Sequence, residues 1–118
     1  MHTRAKGDRS EDFAASYLQD LGYGILQRNF HAGVSEIDII AKDGRETVFV
    51  EVKSVFAGSD IDISETLTQS KLARLRKGVN MWLLGHPETS AEEIRIDFVG
   101  IVLAPNGQLA KVEHFKSI

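Results

Sequence analysis

The chain of 118 residues contains no cysteine. A disulfide framework, a zinc site built on thiolates and a cysteine nucleophile are therefore excluded. The sequence also has no apolar run of 18 residues, the length that a membrane-spanning helix needs. The first seven residues are polar and basic, and no apolar stretch typical of a signal peptide follows them. We therefore expect a cytoplasmic protein with no membrane contact.

Proline is scarce, and both prolines, Pro87 and Pro105, lie in late segments that read as loops. There is no repeat and no low-complexity linker, so we expect a single domain over residues 1–118. Positive charge is also in short supply, since 14 Lys and Arg stand against 17 Asp and Glu. A protein that coats nucleic acid without specificity is usually basic. The net charge of −3 is thus mild evidence against a nucleic-acid partner, although it leaves room for a local basic patch.

Hydrophobic periodicity predicts two helices. The first covers residues 8–21, with Asp8 and Glu11 forming a capping box and Gly22 ending the helix. The second begins at Ser64 as N-cap and runs to about Leu84. Period-two segments predict strands over residues 24–30, 35–41, 46–55, 94–103 and 108–115. The order α-β-β-β-α-β-β indicates an α/β sandwich, with a central mixed sheet flanked by helices.

Charged residues occupy the most apolar strand of this pattern. Glu51 and Lys53 share one face of the strand over residues 46–55, because strand side chains alternate. A surface ion pair on a solvated face is the simple interpretation of such a pair. The preceding strand changes that interpretation, because it carries Glu36 and Asp38 on one face, with Ile37 and Ile39 on the other.

The turn between these strands predicts how the acids meet. With Asp43-Gly44 as a two-residue hairpin loop, Asp38 lies opposite Phe49. Asp38 and Glu51 then become diagonal neighbours, about 7–8 Å apart by backbone. Such acids need a compensating cation, either Lys53 or a divalent metal, and oxygen ligands suit Mg²⁺ or Mn²⁺. The histidines show no ligand spacing, and we expect all four on the surface or in loops: His2, His31, His86 and His114.

An acid followed on the next strand by Glu51-x-Lys53, after a helix with Glu11, resembles the PD-(D/E)XK nuclease superfamily. This superfamily has the restriction-endonuclease-like fold and includes Holliday-junction resolvases. A closer resemblance is to the YraN-like family of small uncharacterised bacterial proteins. It covers nearly the whole chain and rests on these segments: Gly7-x-x-x-Glu11-x-x-Ala14-x-x-Tyr17-Leu18, Gly22-Tyr23, Arg28-Asn29-Phe30, residues 36–40, residues 49–53, Lys71 with Leu75, and Arg95-x-Asp97.

The resemblance implies a metal-dependent endonuclease that acts on DNA, with branched or repair intermediates as candidate substrates. It implies that Asp38, Glu51 and Glu11 hold Mg²⁺ or Mn²⁺, and that Lys53 orients or activates the attacking water. Lys71 takes the place of a supporting catalytic residue, with Gln69 as its local rival. Two alternatives stay open: Glu11 caps the first helix, or Lys71 is an ordinary flanking lysine. Two other acids are not expected to be ligands: Glu36, as a structural acid or one that supports the ligands, and Asp97, paired with a neighbouring arginine.

The second helix is the candidate nucleic-acid surface. No acidic residue occurs between Thr66 and Pro87, and the cations Lys71, Arg74 and Lys77 are expected to contact phosphate. A solvated basic face is the alternative interpretation. Further positive charge comes from the N-terminal residues Arg4, Lys6 and Arg9. A homodimer would suit cleavage of two strands. The competing function is a non-catalytic module on a nuclease fold, which binds nucleic acid or a protein partner.

Overall fold

A computed structural model describes the backbone of residues 4–118 and the side chains from residue 9 onward. The side chains of Asp8, Arg4 and Lys6, for which a helix cap and additional positive charge were expected, lie outside the described residues, as does His2. The helices are α1 (Arg4–Asp20) and α2 (Gln69–Leu84). The strands are β1 (Gly24–Ala32), β2 (Ser35–Asp43), β3 (Glu46–Phe56), β4 (Ile94–Leu103) and β5 (Leu109–Phe115). Neither described helix is long and apolar enough to span a bilayer.

The five strands form one mixed sheet whose spatial order is the chain order. β3 and β4 are parallel, and every other neighbouring pair is antiparallel. A parallel pair needs a crossover connection, and α2 supplies it between β3 and β4. One helix covers each face of the sheet. This confirms the predicted α/β sandwich, and it is consistent with a restriction-endonuclease-like arrangement.

Two apolar clusters hold the three layers together, one on each side of the sheet. The cluster under α1 contains Ala14, Leu18, Ile39, Ala41, Val48, Val50, Val52, Val99 and Ile101. The cluster under α2 contains Ile37, Ile40, Phe49, Leu75, Val79 and Trp82. α2 lies very close to β2, since a Cβ on Gly78 would approach Ile37 to 3.2 Å. The Ser35 hydroxyl ties β2 to α2 at the same place, because it donates to the Arg74 carbonyl at 2.9 Å.

Both predicted helix starts are wrong. α1 begins at Arg4, so the backbone of Asp8 lies inside the helix and Glu11 lies far from its first turn. The residues before Asp8 include Arg, Ala and Lys, which are strong helix formers and extend the helix backwards. The N-cap of α2 is Thr68, four residues after the predicted cap, and its side chain accepts from the Lys71 amide at 3.2 Å. Ser64 lies instead in a single turn of 3-10 helix, Ile63–Thr66.

The predicted β2–β3 register is also wrong. Asp43 pairs with Glu46, so the hairpin loop is Gly44-Arg45. Gly44 has φ 62, a conformation in which an L side chain is strained, and this places the glycine at the first position of the loop. Continued one step beyond its last pair, Ile39↔Val50, this register sets Asp38 opposite Glu51 instead of Phe49.

Candidate functional site

β2 and β3 separate at one end of the sheet. Their ladder ends at Ile39↔Val50, whereas the β1–β2 ladder continues to Ala32↔Ser35. The β3–β4 ladder also continues, as far as Phe56↔Leu103. A cleft therefore opens between β2 and β3. The carboxylate of Asp38 enters this cleft and accepts a hydrogen bond from the backbone amide of Val52 at 2.7 Å.

The alternation of side chains breaks at the same position. Ile37 packs under α2 and Ile39 packs under α1, so the expectation that both share a face is wrong. The adjacent strand is irregular here as well, because Asn29 lies between the pairs Arg28↔Ile39 and Phe30↔Ile37 with φ 55. Asparagine tolerates this left-handed conformation better than most residues. The observed register sets Asp38 opposite Glu51, so these two acids meet in the cleft although the alternation of β2 breaks at this level.

The cleft is a cavity of about 290 Å³ that collects charged side chains from three elements. β2 supplies Glu36 and Asp38, β3 supplies Glu51 and Lys53, and α2 supplies Lys71 and Arg74. The four residues expected to be catalytic, Asp38, Glu51, Lys53 and Lys71, thus line one cavity. Gln69, the rival of Lys71, and Lys77, the third expected phosphate contact, are exposed residues that do not line it.

A fourth element brings another acid to the site. Glu11 of α1 lies beside Glu36 and Asp38, and one carboxylate oxygen of each falls within 4.8 Å of the others. Arg28 anchors Glu11 at 3.5 Å and its neighbour Asp12 at 2.8 Å. Because α1 begins at Arg4 and Glu11 lies well inside it, the alternative that Glu11 caps α1 is wrong. Glu36, expected to be a structural acid or a neighbour of the ligands, belongs to the same acidic group.

The acids of the cleft are short of compensating charge. Burial and then the nearby Glu51 raise the pKa of Asp38 to about 7. Burial raises the pKa of Glu51 too, although Lys53 and Lys71 oppose the shift. Burial, followed by repulsion from Asp38, raises the pKa of Glu11. Burial and mutual repulsion make it unfavourable to ionise these three carboxyl groups together, and a bound cation would relieve that cost.

The cations of the cleft crowd each other on its α2 side. Burial, followed by the neighbouring Lys53, lowers the pKa of Lys71. The cavity therefore has an acidic side, formed by Glu36 and Asp38 of β2 with Glu11 beside them, and a basic side formed by Lys53, Lys71 and Arg74. A phosphate oxygen in the cavity would face the cations, and a metal ion would face the acids.

A second buried charge cluster lies on the α1 face. Asp97 of β4 is fully buried and accepts from Arg95 at 2.9 and 3.1 Å, as the sequence predicted. It also contacts His114 Nε2 at 2.7 Å, and the other ring nitrogen lies 3.0 Å from the Tyr17 hydroxyl. The expectation that every histidine is on the surface or in a loop is thus wrong for His114. Its position in β5, at a two-residue spacing from Val112, was the available signal.

Sequence comparison with a family model and with individual relatives gives the same family. The family model described as "Uncharacterised protein family UPF0102" matches residues 10–101. A UPF0102 protein of Kineococcus radiotolerans is 36% identical over 124 residues, covering 100% of this chain and 98% of the relative. One from Beutenbergia cavernae is 36% identical over 97% of this chain and 95% of its own length. One from Wolinella succinogenes is 46% identical over 69% and 72%.

Proposed function

The chain belongs to the UPF0102 family, and we propose that it is a metal-dependent endonuclease of the PD-(D/E)XK superfamily. The proposed substrate is DNA in the cytoplasm, with branched or repair intermediates as the favoured class. One observation carries the proposal: Asp38, Glu51 and Lys53 line one cavity, with further acids on one side and further cations on the other.

The acids of the cleft fit a hard divalent cation. Every donor in the set Glu11, Glu36 and Asp38 is a carboxylate oxygen, and the three oxygens have a spacing that one ion can bridge. Mg²⁺ and Mn²⁺ prefer such ligands, whereas zinc sites usually include histidine or cysteine. Bound there, the ion would lower the pKa of a water molecule and withdraw charge from a phosphate oxygen.

The remaining residues divide the other requirements of hydrolysis. The reaction joins a water oxygen to phosphorus and breaks one ester bond, leaving a phosphate monoester and a hydroxyl. Lys53, on the same strand as Glu51, would orient the water and offset charge on the phosphate. Lys71 and Arg74 line the opposite wall and would hold the phosphate backbone in register.

A cleavage assay with a matched lysine control tests this function. Linear, flapped and four-way-junction DNAs are incubated with the protein in Mn²⁺ or in EDTA. We expect metal-dependent cleavage of at least one DNA, and a fall of at least roughly 100-fold for Lys53→Ala, the usual scale for a positioned proton-transfer group. The control is Lys111→Ala, which removes an exposed lysine paired with Glu113 at 3.2 Å on the distant strand β5.

The assay also decides against the proposal when it fails. Equal cleavage by wild type and Lys53→Ala would indicate a contaminating nuclease or a different site. Tight binding of the DNAs with no cleavage in any divalent metal would favour the non-catalytic nucleic-acid-binding module, and the absence of both would favour a protein-interaction module.

A further inference from the structure

Asn29 of β1 lies between two acids of the cleft that come from different elements. The orientation of its amide follows from its surroundings, since only an NH₂ group pointing at the carboxylates satisfies both partners. In that orientation Nδ2 is 3.0 and 3.1 Å from the two oxygens of Glu11 and 3.3 Å from Glu36 Oε2. One amide nitrogen therefore bridges α1 and β2.

We infer that Asn29 is a positioning residue, which holds Glu11 and Glu36 at ligand spacing beside Asp38; this inference rests on the proposed metal site. Two like-charged carboxylates separate when nothing bridges them, because their repulsion favours other rotamers. Hydrogen bonds to the ligand carboxylates set their direction, and such outer contacts govern metal affinity.

The neighbouring residues cannot take this role. Arg28 contacts Glu11 and Asp12, which both belong to α1. His31 approaches only Glu36, at 3.8 Å. Asn29, by contrast, lies within hydrogen-bond distance of both acids, and it is neutral, so it orients them without reducing the charge available to a cation.

The backbone of Asn29 explains how the side chain gets there. A regular strand residue points to one face of the sheet, and its neighbours point to the other. At φ 55 the residue leaves this pattern, at the same level where the alternation of β2 breaks at Asp38. Asparagine combines tolerance of this conformation with an amide donor, a combination that few other side chains offer.

The test is Mn²⁺ affinity, measured by isothermal titration on wild type, Asn29→Gly and Asn29→Ser. Glycine keeps the left-handed backbone without strain and removes only the amide. We expect Asn29→Gly to bind Mn²⁺ roughly 10–100-fold more weakly than wild type, the usual effect of losing an outer contact to a metal ligand. Serine retains one short donor, and we expect it to fall between the two.

Asn80→Gly is the matched control, because it makes the same substitution at an exposed position of α2 that does not line the cavity. It should lower the melting temperature in EDTA and leave the Mn²⁺ affinity at the wild-type value. If Asn29→Gly behaves in the same way, the positioning role is wrong while the metal site stands. If wild type itself binds no Mn²⁺, the proposed site and the inference both fall.

Discussion

Asp38 and Asp97 lie on the two strands that flank β3, at nearly the same level of the sheet, and their surroundings are opposite. Asp97 pairs in register with Val50, which belongs to the last pair of the β2–β3 ladder, and Asp38 lies one step beyond that pair. Asp97 receives hydrogen bonds from Arg95, His114 and the Ser117 amide. Asp38 receives one backbone hydrogen bond and otherwise faces other acids.

The pKa values of the two aspartates move in opposite directions for this reason. Burial opposes ionisation of both groups. At Asp97, the hydrogen bonds from His114 and Arg95 outweigh burial and lower its pKa. At Asp38, burial and Glu51 act together and raise its pKa to about 7. A buried carboxylate with matched partners is part of the structure, whereas one without them is a candidate for a ligand or a reaction.

The largest effect on stability is expected at Asp97. The substitution Asp97→Ala leaves the largely buried Arg95 without its closest buried partner, and it removes the carboxylate that His114 Nε2 contacts. Removal of one partner from a buried ion pair costs about 3–5 kcal/mol, and we expect a loss of that size in urea unfolding. Asp43→Ala removes a more exposed partner of the same arginine and should cost about 1 kcal/mol or less. Equal losses would contradict the distinction between buried and exposed partners.

Asp38→Asn should behave differently in the same unfolding experiment. The amide oxygen can still accept from Val52, and the substitution removes one charge from the repulsive group. In EDTA at pH 7 we expect a gain of about 1 kcal/mol or more, since one pKa unit corresponds to about 1.4 kcal/mol and the pKa of Asp38 is raised by more than one unit. Mn²⁺ at 100 times its dissociation constant should stabilise wild type by about 2.7 kcal/mol and this variant hardly at all. A large loss in EDTA, with no metal effect on wild type, would make Asp38 a structural partner like Asp97.

The fold and the members of the site could be predicted further than the geometry that joins them. Hydrophobic periodicity was sufficient to predict the existence of both helices and all five strands. The clearest case is β3, where Val48, Val50 and Val52 alternate with Phe49 and Glu51. The register was not predictable in the same way, since choosing Gly44-Arg45 over Asp43-Gly44 as the loop depends on a single backbone angle. Asn29 was part of a recognised segment, but its role follows from a left-handed φ that periodicity does not reveal.

The two charge clusters also differ in how far apart their members lie in sequence. Arg95 and Asp97 are two residues apart on one strand, and their pairing was expected correctly. Glu11 and Glu36 meet across α1, β1 and β2, so their proximity depends on packing that the sequence alone does not fix. Like charges that converge from distant segments are brought together by the apolar clusters around them, and not by their own interaction.

The pH dependence of the unfolding free energy in EDTA should also distinguish Asp38 from Asp97, by less than the loss expected for Asp97→Ala. The pKa of Asp38 is about 7 in the folded state and near 3.9 in the unfolded chain, so between these values the folded state binds more protons. Its unfolding free energy should therefore rise as pH falls from 7 to 4, and the ionised carboxylate should weaken the fold above pH 7. Asp97 has the opposite sign: its lowered pKa stabilises the fold above pH 4, and that contribution is lost only as pH falls further, through its folded pKa.

Melting curves of wild type and Asp38→Asn, from pH 8 to pH 4.5 in EDTA, isolate the Asp38 contribution, because the Asp97 contribution is nearly constant across that range. We expect the advantage of Asp38→Asn to be largest at pH 8 and to shrink steadily as the pH falls to 4.5. An advantage that does not change with pH would mean that Asp38 ionises normally in the folded protein.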